Sequence, residues 1–446
     1  MAHAETDQHP RLPREPIDAL VDPLRRFMHI ESAGGVVLLV AMVAALALAN
    51  SPLADSFLSF WKTKVGFAFG SFQMEHSLQH WINDLLMAIF FYVIGLEVKR
   101  ELLVGELREM KKATLPMMAA LGGMVAPALV YLALQAGEPG QDGWGIPMAT
   151  DIAFVVGCMA VLGRRIPRGL RVFLLSLAIV DDIGAILVIA IGYTETIHWG
   201  GLILSAVSIT LLLLLMKVGV RNIAVFVIFG LVIWFGFHES GVHATIAGVI
   251  VGLLTPIRSW VSEGRLDRIV KNTLHFMQGE GWSSTDESFE KLRELELATR
   301  KTVSPLKRME TLLHPWVGFV IMPVFALANA GVQIELGDFG NPVAFAVMIG
   351  LLVGKPVGVV LFSFVAVRLG VSRLPEGVNW GSMVGAGCLA GIGFTMAIFI
   401  AGLALQGDLL DAAKVGILAG SLLSAGVGVT VLVLALPKPK SGEGVH

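Results

Sequence analysis

A chain of 446 residues, 55% hydrophobic and only 15% charged, with a mean hydropathy of +0.74, has more apolar surface than a water-soluble fold can hide. Soluble domains carry about 25% charged residues. The formal net charge of −2 argues against a nucleic-acid partner, whose phosphates call for clustered Lys and Arg, and lipid is the surrounding that can accept the apolar surface.

Residues 1–31 are polar and lack the short apolar core and small-residue cleavage site of a signal peptide. They read as a cytoplasmic N-terminal segment. A bilayer core of ~30 Å takes about 20 apolar residues in helix. By that ruler residues 32–436 form a transmembrane domain of about twelve spans, near 32–50, 78–97, 114–134, 146–163, 170–193, 199–216, 222–237, 241–257, 314–332, 343–366, 380–405 and 413–436. Very short connections separate the sixth, seventh and eighth, so eleven spans also satisfy the pattern. Residues 437–446 are a polar tail. The two cysteines, Cys158 and Cys388, fall inside apolar segments and fit core packing, with no disulfide framework or zinc-site spacing.

Basic residues recur in alternate connections. Arg11, Arg14, Arg25 and Arg26 precede the first span, Lys99, Arg100, Arg108, Lys111 and Lys112 follow the second, and Arg164, Arg165, Arg168 and Arg171 follow the fourth. The opposite connections hold few, chiefly Lys62, Lys64 and Lys414. The positive-inside rule then puts both termini in the cytoplasm.

Two connections have features of their own. Within residues 51–77, on the outer side, residues 65–74 alternate apolar positions around Gly70 and Ser71, which predicts a two-stranded hairpin. A lone hairpin is marginal in water, and pairing with its copy would stabilise it, so a homodimer through 51–77 is expected. Residues 258–310 form a charged cytoplasmic linker, with a short surface helix expected over Glu290 to Arg300.

A charge at the centre of a membrane helix costs about 2.5–3.5 kcal/mol. Four residues incur it: Asp151, Asp181, Asp182 and Lys355. Asp181 and Asp182 lie ~16–18 Å along their span, near the midplane. Neighbours on a helix point about 100° apart, so both can face one cavity. Two such carboxylates in low dielectric cannot both stay ionised without a compensating cation, and they titrate as a coupled pair. Protonated, the pair is neutral; deprotonated, it offers oxygen ligands to a small hard cation, so each guest expels the other. A purely structural pair that glues helices by hydrogen bonds would be met better by Ser or Asn.

Lys355, ~18 Å into the tenth span, is too deep to snorkel, and its natural partner is a buried aspartate. Pro147 disfavours helix at Ile146. With residues 145–150 extended at ~3.3 Å each, Asp151 also reaches the midplane, beside a helix N-terminus whose dipole end it offsets. Irregular backbone at that depth must be buried in protein or line a cavity. Gly391 and Gly393 permit a second break in the eleventh span, and paired interrupted helices point to a transporter with a central ion site. Two other readings fit less well. A proton-coupled carrier of an organic solute wants Arg or aromatic anchors in a roomier pocket, and an intramembrane aspartyl protease wants its two aspartates on different helices around one water.

The blocks Trp81–Asp84, Gly95–Leu102, Pro147–Phe154, Ala178–Gly184, Gly241–Thr245, Leu313–Trp316, Phe325–Gly331, Gly354–Pro356 and Gly391–Met396 together resemble the NhaA family of bacterial sodium/proton antiporters, over about residues 25–435. The resemblance implies an all-α polytopic protein of the bacterial inner membrane, with inverted repeats and two interrupted helices crossing at mid-membrane. It implies a secondary transporter and not an enzyme, working by alternating access without a cofactor. Such a protein is electrogenic, switched on by alkaline pH, and extrudes Na+, with Li+ as a substitute, for protons taken up. By the same resemblance Asp181 and Asp182 bind Na+ or protons, Lys355 is their cationic partner, and Asp151 and Thr150 stand beside the ion path. Glu97, Lys99, Arg100, Glu101, Glu310, His314 and His243 become candidates for pH sensing. Family members often place His directly after a Leu-Glu pair where this chain has Thr311 after Glu310, so the pH set-point is not carried over.

Overall fold

Uncharged runs of Leu, Ile, Val and Ala can satisfy their backbone groups in lipid only within the segment itself, as helices, and helices make up almost the whole structure. The computed structural model describes residues 31–69, 72–194, 197–220, 222–259, 261–278, 286–334, 337 and 340–436. The expected N-terminal segment, apart from Glu31, and the tail 437–446 lie outside them. In chain order the elements are α1 (Glu31–Ala49), α2 (Ala54–Lys62), β1 (Lys64–Phe69), β2 (Phe72–Ser77), α3 (Leu78–Leu103), α4 (Met110–Leu134), α5 (Ile152–Leu162), α6 (Arg168–Gly192), α7 (Trp199–Lys217), α8 (Ile223–Ser240) and α9 (Thr245–Leu254). They continue with α10 (Glu263–Gln278), α11 (Asp286–Thr302), α12 (Pro305–Asn329), α13 (Pro342–Arg368), α14 (Trp380–Ala390), α15 (Phe394–Ala404) and α16 (Asp408–Ala435). This is an all-α polytopic membrane protein.

The fold class is as expected; the exact count of about twelve spans is not confirmed. Among the described residues nine helices are long and apolar enough to cross a membrane, or up to eleven when two bent pairs each count as one span. One pair is α1 with α2, bent by 114°; the other is α14 with α15, bent by 46°. The segment expected at 241–257 is the ten-residue α9, only ~15 Å long. Gly241 takes a left-handed φ of 79° and ends α8, so the residues after it are spent on a turn.

The hairpin has its expected position, with Lys64 paired to Ser77 and Phe69 to Phe72; Gly70 and Ser71 lie outside the described residues. The helix expected at 290–300 is α11. A second linker helix, α10, was not expected and packs against it.

The largest core surrounds α4, α6 and α13–α16, through residues such as Leu177, Leu351, Ile392 and Ile417. A smaller one joins α3 to α7–α9 through Phe226, Ile233 and Trp234. At the contact of α4 with α13, a Cβ on Gly122 would stand 2.2 Å from the Gly358 carbonyl oxygen, and one on Gly358 would stand 2.0 Å from that of Gly122. Only glycine lets two membrane helices approach backbone to backbone in this way. That approach sets the depth of the residues beside it.

Candidate functional site

Asp181 and Asp182 sit in the middle of the 25-residue α6, roughly 20 Å from its Arg168 end. They are 1% and 3% exposed. Asp181 turns toward α13 and α4. Its Oδ2 is 2.6 Å from Lys355 Nζ and accepts the Thr150 hydroxyl at 2.6 Å, while its buried Oδ1 has no hydrogen-bond partner. Asp182 points elsewhere on the helix, into the electrostatic field of Asp181, Glu97, Asp151 and Lys355, and no hydrogen bond holds its carboxyl among the described residues.

Lys355 is fully buried and stands where a five-residue π turn, Gly350–Gly354, passes into the α-helical part of α13. Pro356 follows it and donates no backbone hydrogen bond, which frees the ladder to widen there. Besides Asp181, its ammonium donates to the Met148 carbonyl. Gly123 of α4 lies beside this side chain. A Cβ on Gly123 would lie 3.6 Å from Lys355 Cε and 3.9 Å from Asp181 Oδ1.

Both interrupted helices end at this point. The stretch expected to run extended over 145–150 is a 3-10 helix over Gln141–Met148, and Pro147, which disfavours the α ladder, is tolerated in this tighter winding. Ala149 and Asp151 are extended, with ψ of 147° and 101°. Asp151 then caps α5, accepting Ala153 N at 3.1 Å and Phe154 N at 3.3 Å. Its other oxygen accepts Thr395 N at 3.1 Å and the Thr395 hydroxyl, and its own N–H donates to the Ile392 carbonyl at 2.7 Å. One carboxylate thus serves the N-terminal ends of α5 and α15, where helix dipoles favour negative charge. The opposite ends have matching partners: Lys355 reaches the Met148 carbonyl at the end of the 3-10 run, and Thr150 Oγ1 lies 2.8 Å from the Ala390 carbonyl at the end of α14. Thr150 has a single hydroxyl proton, so it serves Asp181 or Ala390 at any one moment.

Thr150, Asp151, Asp181 and Lys355 are therefore in mutual contact, directly or through one residue, with Asp182 alongside. Thr395 and the Met148 and Ala390 carbonyls also belong to this site and were not singled out from sequence. Thr395 alone had a signal, its place in the second glycine-broken segment.

The seven residues expected to sense pH do not form one group. Arg100 on α3 is paired with Glu310 on α12 and stands 3.4 Å from Glu101; Lys307 adds a 3.5 Å contact to Glu310. Lys99 goes instead to the C-terminal end of α9, 2.7 Å from the Leu253 and Thr255 carbonyls. Glu97 faces Asp182 electrostatically. His243 lies in the turn between α8 and α9, against Phe399 and within the field of Asp84. His314 is exposed on α12.

Comparison with known proteins gives a consistent result. A family model described as Na+/H+ antiporter 1 matches residues 25–432. The chain is 54% identical over 439 residues, 98% of its length and 99% of the relative's, to the Na(+)/H(+) antiporter NhaA of Rhodopirellula baltica. It is 51% identical to the Na(+)/H(+) antiporter NhaA 2 of Acidiphilium cryptum, over 97% of this chain and 96% of that one. To the Na(+)/H(+) antiporter NhaA of Rhizobium meliloti it is 48% identical, over 96% of this chain and 98% of that one.

Proposed function

The chain belongs to the Na+/H+ antiporter 1 family, and from that premise we propose that it extrudes Na+ in exchange for protons at Asp181 and Asp182. The observation that carries this reading is a buried carboxylate pair in the middle of α6 beside the buried Lys355, which is held to Asp181 at 2.6 Å. Na+ arriving at the deprotonated pair takes over the charge compensation that Lys355 provides. It meets Asp181 Oδ1, Asp182 and the Thr150 oxygen, which stays free to ligate while its proton goes to Ala390. Hard oxygen ligands suit a small alkali cation, so Li+ is the expected substitute. Lys355 released from Asp181 keeps the Met148 carbonyl as partner, so ion binding is felt at the end of the broken 3-10 run.

Two carboxylates against one Na+ let more protons than sodium ions cross per cycle, which makes the exchange electrogenic. No cofactor enters this scheme. The Arg100, Glu101 and Glu310 cluster supplies titratable groups at one end of α3, and we assign alkaline activation to it and to Glu97, with Lys99, His314 and His243 as the remaining candidates. The setting is the bacterial inner membrane, with both termini cytoplasmic and lipid around the apolar faces. The 51–77 hairpin is the proposed homodimer contact, and removing residues 64–77 should leave a monomer by size in detergent.

The test uses everted vesicles energised to hold a proton gradient. Added Na+ or Li+ should dissipate the gradient, and Asp181→Asn or Asp182→Asn should abolish the response. Dissipation that needs no Na+ or Li+, or that survives both substitutions, would remove the ion site from Asp181 and Asp182.

A further inference from the structure

Away from the aspartates, three histidines converge from three elements: His76 on β2, His80 in the first turn of α3 and His238 in the last turn of α8. One ring nitrogen from each lies within 4.8 Å of the other two. Asp84, one turn beyond His80, points into the same cluster, with its Oδ2 3.2 Å from His238 Nδ1 and 3.5 Å from His80 Nε2. His80 Nε2 is buried and makes no hydrogen bond, although the carboxylate is close, so it is aimed at the cluster and left unused. Lone histidines on apolar faces are ordinary packing residues; three imidazoles and a carboxylate sharing one centre are not.

We propose that His76, His80 and His238, with Asp84, bind one divalent transition-metal ion of the zinc class. Tetrahedral zinc has bonds of about 2.0–2.2 Å to nitrogen and oxygen, which sets its ligands about 3.3 Å apart. Asp84 Oδ2, His80 Nε2 and His238 Nδ1 already have two separations of that size. His76 is the ligand that moves: its ring stacks on His80 at 4.3 Å between centroids, 25° from parallel, and a side-chain rotation at this half-buried position brings its nitrogen to the fourth corner. Imidazole and carboxylate suit Zn2+ ahead of Na+ or Mg2+, which prefer oxygen alone. Glu239 and His243 lie within electrostatic reach of the cluster, and Glu239 adds negative charge that favours a dication. The bound ion would fasten β2 to both α3 and α8, which ties the hairpin to the helices behind it.

The experiment uses the full-length protein, purified on a histidine-free tag and stripped with chelator, and reads metal binding without transport. Calorimetry should show one saturable Zn2+ site per chain, and Zn2+ should raise the melting temperature. Co2+ in its place should give the intense visible bands of a tetrahedral nitrogen and oxygen site. His76→Gln and His238→Gln should each weaken binding at least about tenfold, as should Asp84→Asn, while His275→Gln on the linker helix α10 should not. The wild-type Co2+ spectrum decides the matter even if a variant fails to fold. A six-coordinate Co2+ spectrum, unsaturable uptake, or Zn2+ affinity unchanged in His76→Gln and His238→Gln would overturn the site.

Discussion

Asp151 and Thr395 are 244 residues apart in sequence, yet the Asp151 carboxylate accepts both the backbone N–H and the hydroxyl of Thr395. The pair joins the two interrupted helices at the point where each would otherwise leave backbone N–H groups unsatisfied. Hydrogen bonds to a charged acceptor contribute about 1.5–3 kcal/mol. Thr395→Val removes one of the four that Asp151 accepts and should lower stability by about that much, whereas Thr395→Ser keeps the hydroxyl and should melt near wild type. Thermal unfolding of the detergent-solubilised protein checks this; equal melting of the Val and Ser variants would count against the hydroxyl.

Lys355 lends itself to a sharper test, because its removal strands a partner. With Lys355→Ala, Asp181 would remain buried beside Asp182 without a nearby cation, and breaking a buried pair from one side costs about 3–5 kcal/mol. The double variant Lys355→Ala with Asp181→Ala removes both charges and should be more stable than Lys355→Ala alone. A double-mutant cycle read by unfolding measures the coupling. Strictly additive losses would mean that the 2.6 Å contact is not an energetic pair.

The glycines of α4 and α13 predict a contrast of position. Gly358→Ala places a Cβ 2.0 Å from the Gly122 carbonyl oxygen, so the helices must separate and carry Lys355 away from Asp181. Transport should fall severely and the melting temperature with it. Gly402→Ala on α15 meets nothing within 4 Å and should leave both unchanged. Vesicle transport together with melting separates these cases, and a fully active Gly358→Ala would show that the close approach is dispensable.

What could be read from the sequence was what carries a large local cost. Asp181, Asp182 and Lys355 were legible because a mid-membrane charge is expensive wherever the chain goes next. The break at Gly391 and Gly393 and the hairpin at 64–77 were legible because their residues act on the backbone locally. Asp151 meeting Thr395 was not, since nothing local records which two breaks face each other. The start of α9 was not legible either, because hydropathy sums apolar side chains and is blind to the turn that Gly241 makes. Pro147 misled, because disfavouring the α-helix does not select extended chain over a 3-10 turn. The histidine cluster needed three elements to be folded together before its residues became neighbours.

Under the function proposed above, the dependence of exchange on pH follows from two guests sharing one site. Na+ would bind Asp181 and Asp182 only where their oxygens carry no proton, so protons should raise the Na+ concentration needed for half-maximal rate. The sign is fixed: apparent KM for Na+ rises as pH falls. Its slope counts protons, with about one decade per pH unit if one proton must leave before Na+ enters and about two if both must. Saturating Na+ should recover the same maximal rate across that range, because competition is surmountable. Regulation through Arg100, Glu101 and Glu310 would act differently, since a switch remote from the ion changes how many transporters are active and lowers the maximal rate instead. Rates in proteoliposomes, measured over Na+ concentration at a series of pH values, separate the two. Glu310→Gln should then alter the maximal-rate profile while leaving the slope of KM intact. A KM that stays flat with pH, together with a falling maximal rate, would mean that protons and Na+ do not meet at the same carboxylates.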